Sequence, residues 1–136
     1  MLKISAYINF KNNQCAEAMT FYQSVLGGEL SLMPVKDSPM KENFPGELQQ
    51  GILHANLTGS DFNLLGTDMP NSNIEAVAGL LSLTITCANK AEVNQKFADL
   101  AKGGKVVHEV MTFFAGTMGN VIDKYGIGWG IFTDEK

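Results

Sequence analysis

Phe21-Tyr22-Gln23-Ser24-Val25-Leu26-Gly27-Gly28 closes one amphipathic segment of this chain, and Phe97-Ala98-Asp99-Leu100-Ala101-Lys102-Gly103-Gly104 closes another 76 residues later. Both place a Phe six residues before a Gly-Gly pair that turns into apolar, strand-like sequence. Upstream of the first pair, Cys15, Ala18, Met19, Tyr22, Val25 and Leu26 fall at helical spacing over 14–26. Gly27 supplies the left-handed stop. Further back, Ile4, Ala6, Ile8 and Phe10 alternate with Ser5, Tyr7 and Asn9. That period of two predicts a strand with one apolar and one polar face. Asn13 is expected to cap the helix. Downstream, 29–35, 51–57 and 62–65 read as strands, the last two joined by a tight turn at Gly59-Ser60-Asp61.

The second half repeats this order. Leu81, Leu83, Ile85 and Cys87 alternate with Ser82, Thr84 and Thr86; Asn89 then caps a helix over 90–102, and strands follow at 105–110, 116–123 and 127–133. Each half reads strand, helix, strand, strand, strand, which argues for an internal repeat. The expectation is a single α+β domain over 1–136, with module 1 at about 1–68, a linker at 69–78 and module 2 at about 79–136. Residues 37–46, with two prolines and mixed charge, are expected to form a loop or lid without regular structure.

Composition excludes several partners. A chain of 136 residues buries roughly two-thirds of its unfolded surface, enough for one core without disulfides or a structural metal. Ten Lys, no Arg and a net charge of -4 leave no clustered positive surface for nucleic acid, nor the bidentate fork that clamps phosphate or carboxylate. Apolar runs are too short to span a membrane and no basic-then-apolar leader opens the chain, so a cytoplasmic protein is expected. Cys15 and Cys87 lack the spacing of a redox or zinc motif and are expected to be buried thiols. Gly27-Gly28 and Gly103-Gly104 follow helices rather than precede them, so neither reads as a phosphate loop.

Tyr7-Ile8-Asn9-Phe10, Ala18-Met19-Thr20-Phe21-Tyr22, Val25-Leu26-Gly27-Gly28-Glu29 and Ile52-Leu53-His54-Ala55 resemble the PhnB-like branch of the vicinal oxygen chelate superfamily. So do Ala101-Lys102-Gly103-Gly104-Lys105-Val106, Phe114-Ala115-Gly116 and the run from Asp123 to Trp129. The superfamily includes glyoxalase I, fosfomycin- and bleomycin-resistance proteins and extradiol dioxygenases. The resemblance implies two βαβββ modules forming a curled mixed sheet around a concave cleft, often completed in a homodimer. In metal-dependent members, His, Gln or Glu on the first and last strands of each module hold a divalent ion. The matching places here fall at Ser5 or Tyr7, near Leu64, at Ser82 and at Gly130, which make no divalent-cation site. No metal and no cofactor are expected. Members of the branch often carry a 3-demethylubiquinone methyltransferase label; no glycine-rich loop after a parallel strand is present to hold S-adenosylmethionine.

The expected function is binding of a small organic molecule in a metal-free cleft lined by Tyr7, Asn9, His54, Asn56, Ser82, Thr84, Phe113 and Phe114. His54 is the candidate catalytic residue, as general base or hydrogen-bond donor; the plainer reading is a polar strand residue satisfied by a neighbour. His108 is expected on an exposed strand face. Phe113, Phe114 and Trp129 could wall a flat ligand, while Trp129 fits packing under the second helix equally well. Asp61 and Asp123 read as turn residues. A homodimer is expected from the resemblance and from sheet edges left unpaired. Two alternatives stay open: a metal-dependent or His54-assisted lyase or dioxygenase-type enzyme, and a structural or interaction protein whose cleft is filled by its own side chains.

Overall fold

The structure, a computed structural model, describes residues 3–69 and 81–136. The chain divides into two compact units, Met1–Glu75 and Ala76–Lys136, each considered by itself. The linker expected at 69–78 lies almost wholly outside the described residues.

The first unit runs β1 (Ala6–Asn9), α1 (Cys15–Leu26), β2 (Glu29–Pro34), β3 (Ile52–Thr58) and β4 (Asn63–Thr67). Its sheet has the order β1-β4-β3-β2, with β1 parallel to β4 and the other pairs antiparallel. The second unit runs β5 (Leu83–Thr86), α2 (Lys90–Ala101), β6 (Lys105–Phe113), β7 (Gly116–Ile122) and β8 (Gly128–Thr133). Its sheet has the corresponding order β5-β8-β7-β6, with β5 parallel to β8. These are two βαβββ modules, each with its own four-stranded mixed sheet.

Each helix packs on one face of its own sheet. In the first unit Cys15, Ala18, Met19, Tyr22 and Val25 of α1 are buried with Ile8, Phe10, Ala55, Leu57 and Leu64. In the second, Val93 and Leu100 of α2 are buried, as are Val121, Trp129 and Ile131 of the sheet. Trp129 is therefore core, and its indole Nε1 donates to Asp123 at 2.8 Å. Two residues expected on the apolar strand faces, one in each unit, are not buried: Ile4 is 98% exposed and Leu81 86%. Pairing of each first strand with its parallel partner begins only at Ala6↔Leu64 and Leu83↔Trp129, so both residues precede the strands that the helices cover.

The Gly-Gly pairs have one structural job in both units. Gly27 and Gly103 take φ of +78° and +73° at the helix ends. The second glycine then lies against the neighbouring strand. A Cβ on Gly28 would meet the Thr58 carbonyl oxygen at 2.6 Å, and one on Gly104 the Ile122 carbonyl oxygen at 2.2 Å. That approach sets the registers Glu29↔Thr58 and Lys105↔Ile122.

The helix N-termini are capped by carboxylates from beyond the last strand of each unit. Asp68 Oδ1 accepts from Cys15 N and its Oδ2 from Ile52 N, both at 2.8 Å. Asn13, the expected cap, sits instead at φ +56°, and the capping position Gln14 makes no side-chain bond to the helix. In α2, Asn89 caps as expected, accepting from Glu92 N at 2.9 Å, and Glu135 Oε2 accepts from Lys90 N at 2.6 Å. The segment expected to lack regular structure holds short 3-10 turns at Val35–Asp37, Lys41–Asn43 and Gly46–Gln50. It is pinned by Gln49 Nε2 donating to Lys41 O at 2.8 Å and by the buried Ser38 hydroxyl donating to Val35 O at 2.8 Å.

Gly28→Ala and Gly104→Ala should each lower the urea midpoint clearly. Gly46→Ala, where an added Cβ meets nothing within 4 Å, should leave it nearly unchanged. Asp68→Ala strands two buried backbone donors and should cost about 2–4 kcal/mol by the same measurement.

Candidate functional site

With one face of each sheet given to a helix, chemistry is left to the other. Residues opposed across a ladder share a face, so the registers place Tyr7, Leu65, Asn56 and Ser31 in one row across the first unit's sheet. Asn9 and Thr67 stand in the next row on one side, and Thr58 and Asn63 on the other. His54, at the end of β3 that runs past β4, lies beside Met33 of β2. Its imidazole is exposed and its ring centroid is 5.9 Å from that of Tyr7, itself 49% exposed. Tyr7, Asn9, His54 and Asn56 thus share the polar face, two of them in ring contact.

A hydrogen-bonded cluster sits on this face. Ser5 Oγ donates to Asn63 Oδ1 at 2.7 Å, the Asn63 amide nitrogen donates to Asn56 Oδ1, and Thr58 Oγ1 donates to the same oxygen at 3.0 Å. Both acceptor sites of the Asn56 carbonyl are therefore taken. Asn63 was not singled out in the sequence. The hairpin closed by Gly59 N donating to Phe62 O puts it opposite Thr58, so the turn was its available signal.

The second unit repeats the arrangement with different side chains. Thr84, Gly130, Asn120 and His108 form one row on the face away from α2. Thr86, Phe132, Met118 and Met111 form the next. His108 is exposed, as expected. Ser82 precedes β5 and lies beside Gly128. Phe113 ends β6 with its ring 6.4 Å from Phe132, whereas Phe114, in the hairpin turn, is 87% exposed and meets Phe113 edge-on at 5.5 Å. Asn120 and Phe132 were not among the expected site residues, although the alternation of β7 and β8, which pair with each other without a bulge, was the available signal; the bulges in β6, between Val106 and His108 and between His108 and Met111, hide only the faces of its own residues.

The places matching a superfamily metal site are Tyr7 opposite Leu65 and Thr84 opposite Gly130; Leu64 turns to the helix side and is buried. A phenol, a leucine, a secondary hydroxyl and a glycine do not fit a divalent cation, which needs several imidazole or carboxylate donors. Among the described residues, no group of three or more His, Cys, Asp or Glu is placed to hold a metal. Asp123, a turn residue as expected, is buried with its carboxylate accepting from Tyr125 N, Ile127 N and Trp129 Nε1. A shallow recess of about 310 Å³ lies among Lys36, Gly46, Gln49 and Gln50, on the 3-10 turns rather than on either polar face. It brings together no candidate catalytic groups.

Both thiols are buried and free. Burial, with the Asp68 carboxylate as the lesser cause, pushes Cys15 up from 9.0 to about 12. Burial and then Glu92 push Cys87 up to about 11, against a lowering by Lys96. Neither offers a thiolate near neutrality.

Comparison with known proteins follows the same lines. The family described as 3-demethylubiquinone-9 3-methyltransferase matches residues 2–132. Protein YjdN of Escherichia coli K12 is 30% identical over 96% of this chain and 94% of its own. The crystal structure of protein PA1353 from Pseudomonas aeruginosa is similar at 26% identity and a TM-score of 0.78, covering 98% of this chain and 100% of that one. A Bacillus cereus PhnB protein, given the name of a 3-demethylubiquinone-9 3-methyltransferase, aligns at 27% identity and 0.75 over 97% of this chain and 99% of its own. A glyoxalase/bleomycin resistance protein/dioxygenase family enzyme from Burkholderia phytofirmans, at 12% identity and 0.58 over 94% and 96% of the two chains, shares the fold.

Iodoacetamide at pH 8 should label neither cysteine of the native protein within the time that labels both in urea, as read by mass spectrometry. Because both folded-state values lie above 9.0, the stability the thiols contribute is present below pH 9 and lost as pH rises toward 11–12. The urea midpoint should fall over that window, and fall less in Cys15→Ala than in the parent.

Proposed function

The chain belongs to the family described as 3-demethylubiquinone-9 3-methyltransferase, the PhnB-like branch of the vicinal oxygen chelate superfamily, and from that membership we propose that it binds a small organic molecule without a catalytic metal. The observation that carries the reading is the side-chain inventory of the two helix-free faces. They present hydroxyls, amides and imidazoles in rows, from Tyr7 and Asn56 in one unit to Thr84 and Asn120 in the other, with no carboxylate in these two rows; Glu29, opposite Thr58 at the edge of the first face, stands alone and makes no cation site. Such groups orient a neutral or weakly polar ligand and do not polarise an oxygen substrate as a Lewis acid would. Tyr7, Asn9, His54 and Asn56 on the first unit's sheet, and Ser82, Thr84, Phe113 and Phe114 on the second unit's, are the proposed binding residues. The shared strand order of the two units supports an internal duplication.

Methyl transfer is not carried over from the family's description. The loop Lys11-Asn12-Asn13 leading to α1 contains no glycine, and the first backbone N–H groups of the two helices are already taken by Asp68 and Glu135. A homodimer is part of the proposal, supported by the edge strands β2 and β6, most of whose residues are exposed. A cytoplasmic site fits two free cysteines. One observation favours a second reading, a metal-free enzyme. The exposed His54 imidazole in ring contact with Tyr7 is a base beside an ionisable phenol.

A melting-temperature screen of neutral organic compounds tests the main reading. A ligand at a hundred times its Kd adds about 2.7 kcal/mol to stability and raises the melting temperature by several degrees. A broad library that moves it nowhere would count against a binding protein. For a hit that binds the first unit's polar face, His54→Ala should weaken binding under the main reading; turnover abolished with affinity retained would favour the enzyme.

A further inference from the structure

The geometry points to a specific ligand chemistry on the second unit's sheet: a flat, uncharged molecule with an apolar body and one edge carrying a hydrogen-bond donor beside an acceptor. This rests on the small-molecule reading above and names what that molecule presents. The polar row of Thr84, Asn120 and His108 runs alongside the apolar row of Met111, Met118 and Phe132. Rows two residues apart on a strand are separated by roughly 7 Å, about the width of a fused aromatic ring system. Met111 is 62% exposed, and Met118 and Phe132 are half-buried, so the apolar row is open on the face away from α2.

Gly130 makes the polar row converge. Because it has no side chain, Thr84 Oγ1 and Asn120 Nδ2 can both close in on its Cα, with the Met118 methyl filling the place a Cβ would take. A Cβ there would lie 3.3 Å from the hydroxyl, 3.4 Å from the amide nitrogen and 2.9 Å from Met118 Cε. Among the described residues neither the Thr84 hydroxyl nor the Asn120 amide makes a hydrogen bond. Asn56, at the corresponding place in the first unit, has its carbonyl occupied by Thr58 and Asn63. The free amide is therefore on the second sheet. An asparagine amide offers a donor and an acceptor side by side, and its best complement is a group with the same pair reversed: a lactam, a carboxamide or a pyridone. Neither row contains a carboxylate, a lysine or an arginine, which selects against an ionised ligand.

The test uses 2-quinolone, a bicyclic lactam, as probe, with naphthalene-2-methanol as a probe that has a similar body but lacks the adjacent donor–acceptor pair. Titrated into the ¹⁵N-labelled full chain, 2-quinolone should saturably shift the amides of Thr84, Met118, Asn120 and Phe132, and naphthalene-2-methanol should bind at least tenfold more weakly. Asn120→Ala should weaken 2-quinolone at least tenfold, and Gly130→Ala, whose Cβ would push Met118 Cε aside and press on Thr84 and Asn120, should do the same. Unchanged circular dichroism and melting temperature of both variants would separate lost binding from lost fold. Equal affinity for the two probes, or no effect of Asn120→Ala, would overturn the inference. So would screen hits whose shifts fall on 5–9 and 54–63, with 2-quinolone silent; small-molecule binding would survive that outcome. Silence from 2-quinolone together with an empty screen would overturn both.

Discussion

Backbone pressed on backbone at Gly28 and Gly104 is the constraint on which the rest of each unit depends. At both helix ends the chain must turn through a positive φ and then pass within van der Waals contact of a neighbouring strand's carbonyl. Only a residue without Cβ passes there. The passage fixes where β2 begins against β3 and where β6 begins against β7. Because side chains alternate, a slip of one residue would exchange every face. His54 and Asn56 would turn toward α1, and Ala55 and Leu57 would turn away from it. The glycines therefore decide, from a distance, which groups stand on the helix-free face.

A second constraint is electrostatic. Each helix starts with backbone donors that its own sequence leaves unsatisfied. In both units a carboxylate just beyond the final strand reaches back to them: Asp68 after β4 and Glu135 after β8. The last strand lies parallel to the first, and the helix follows the first strand directly. The residue leaving the last strand thus emerges beside the helix N-terminus, where negative charge is favoured. Asp68 also takes Ile52 N, tying α1 to the start of β3. These acids are consumed by the scaffold, which helps explain why a chain with fourteen acidic residues shows none in the two central polar rows.

What could be read from the residues alone follows from this division. Alternation over 4–10 and 81–87 gave the strand faces, and the Gly-Gly pairs marked both helix ends, because these are local signals that the fold obeys. Ile4 and Leu81 misled because alternation says nothing about where a partner strand begins. Asn13 misled because a capping side chain was sought next to the helix in sequence, when Asp68 supplies it from 53 residues away. In β6 two bulges insert unpaired residues, so period two fails there and the shared row of His108 and Asn120 emerges only from the pairing with β7. Long-range pairing and bulges carry no short-range signature. The place of His108 beside Asn120, which depends on them, was not legible, whereas Thr84 could be read from alternation alone.

The two polar faces differ in a way that matters for recognition. On the first sheet the amides and hydroxyls bond to one another, from Ser5 through Asn63 to Asn56 and Thr58, and removing any one leaves the others short of a partner. Such a cluster is rigid but has little left to offer. On the second sheet the Thr84 hydroxyl and the Asn120 amide make no such bonds among the described residues. Exchanging water for a ligand's hydrogen bond is nearly neutral when the match is good and costs about 1–3 kcal/mol when a group is left buried and unpaired. On the proposed reading, affinity would come from the methionines and Phe132, at roughly 25 cal/mol per Å² of apolar surface covered, and selectivity from the penalty a mismatched edge incurs at Asn120. On the proposed binding reading, a face with this side-chain set would reject the wrong edge more strongly than it attracts the right one.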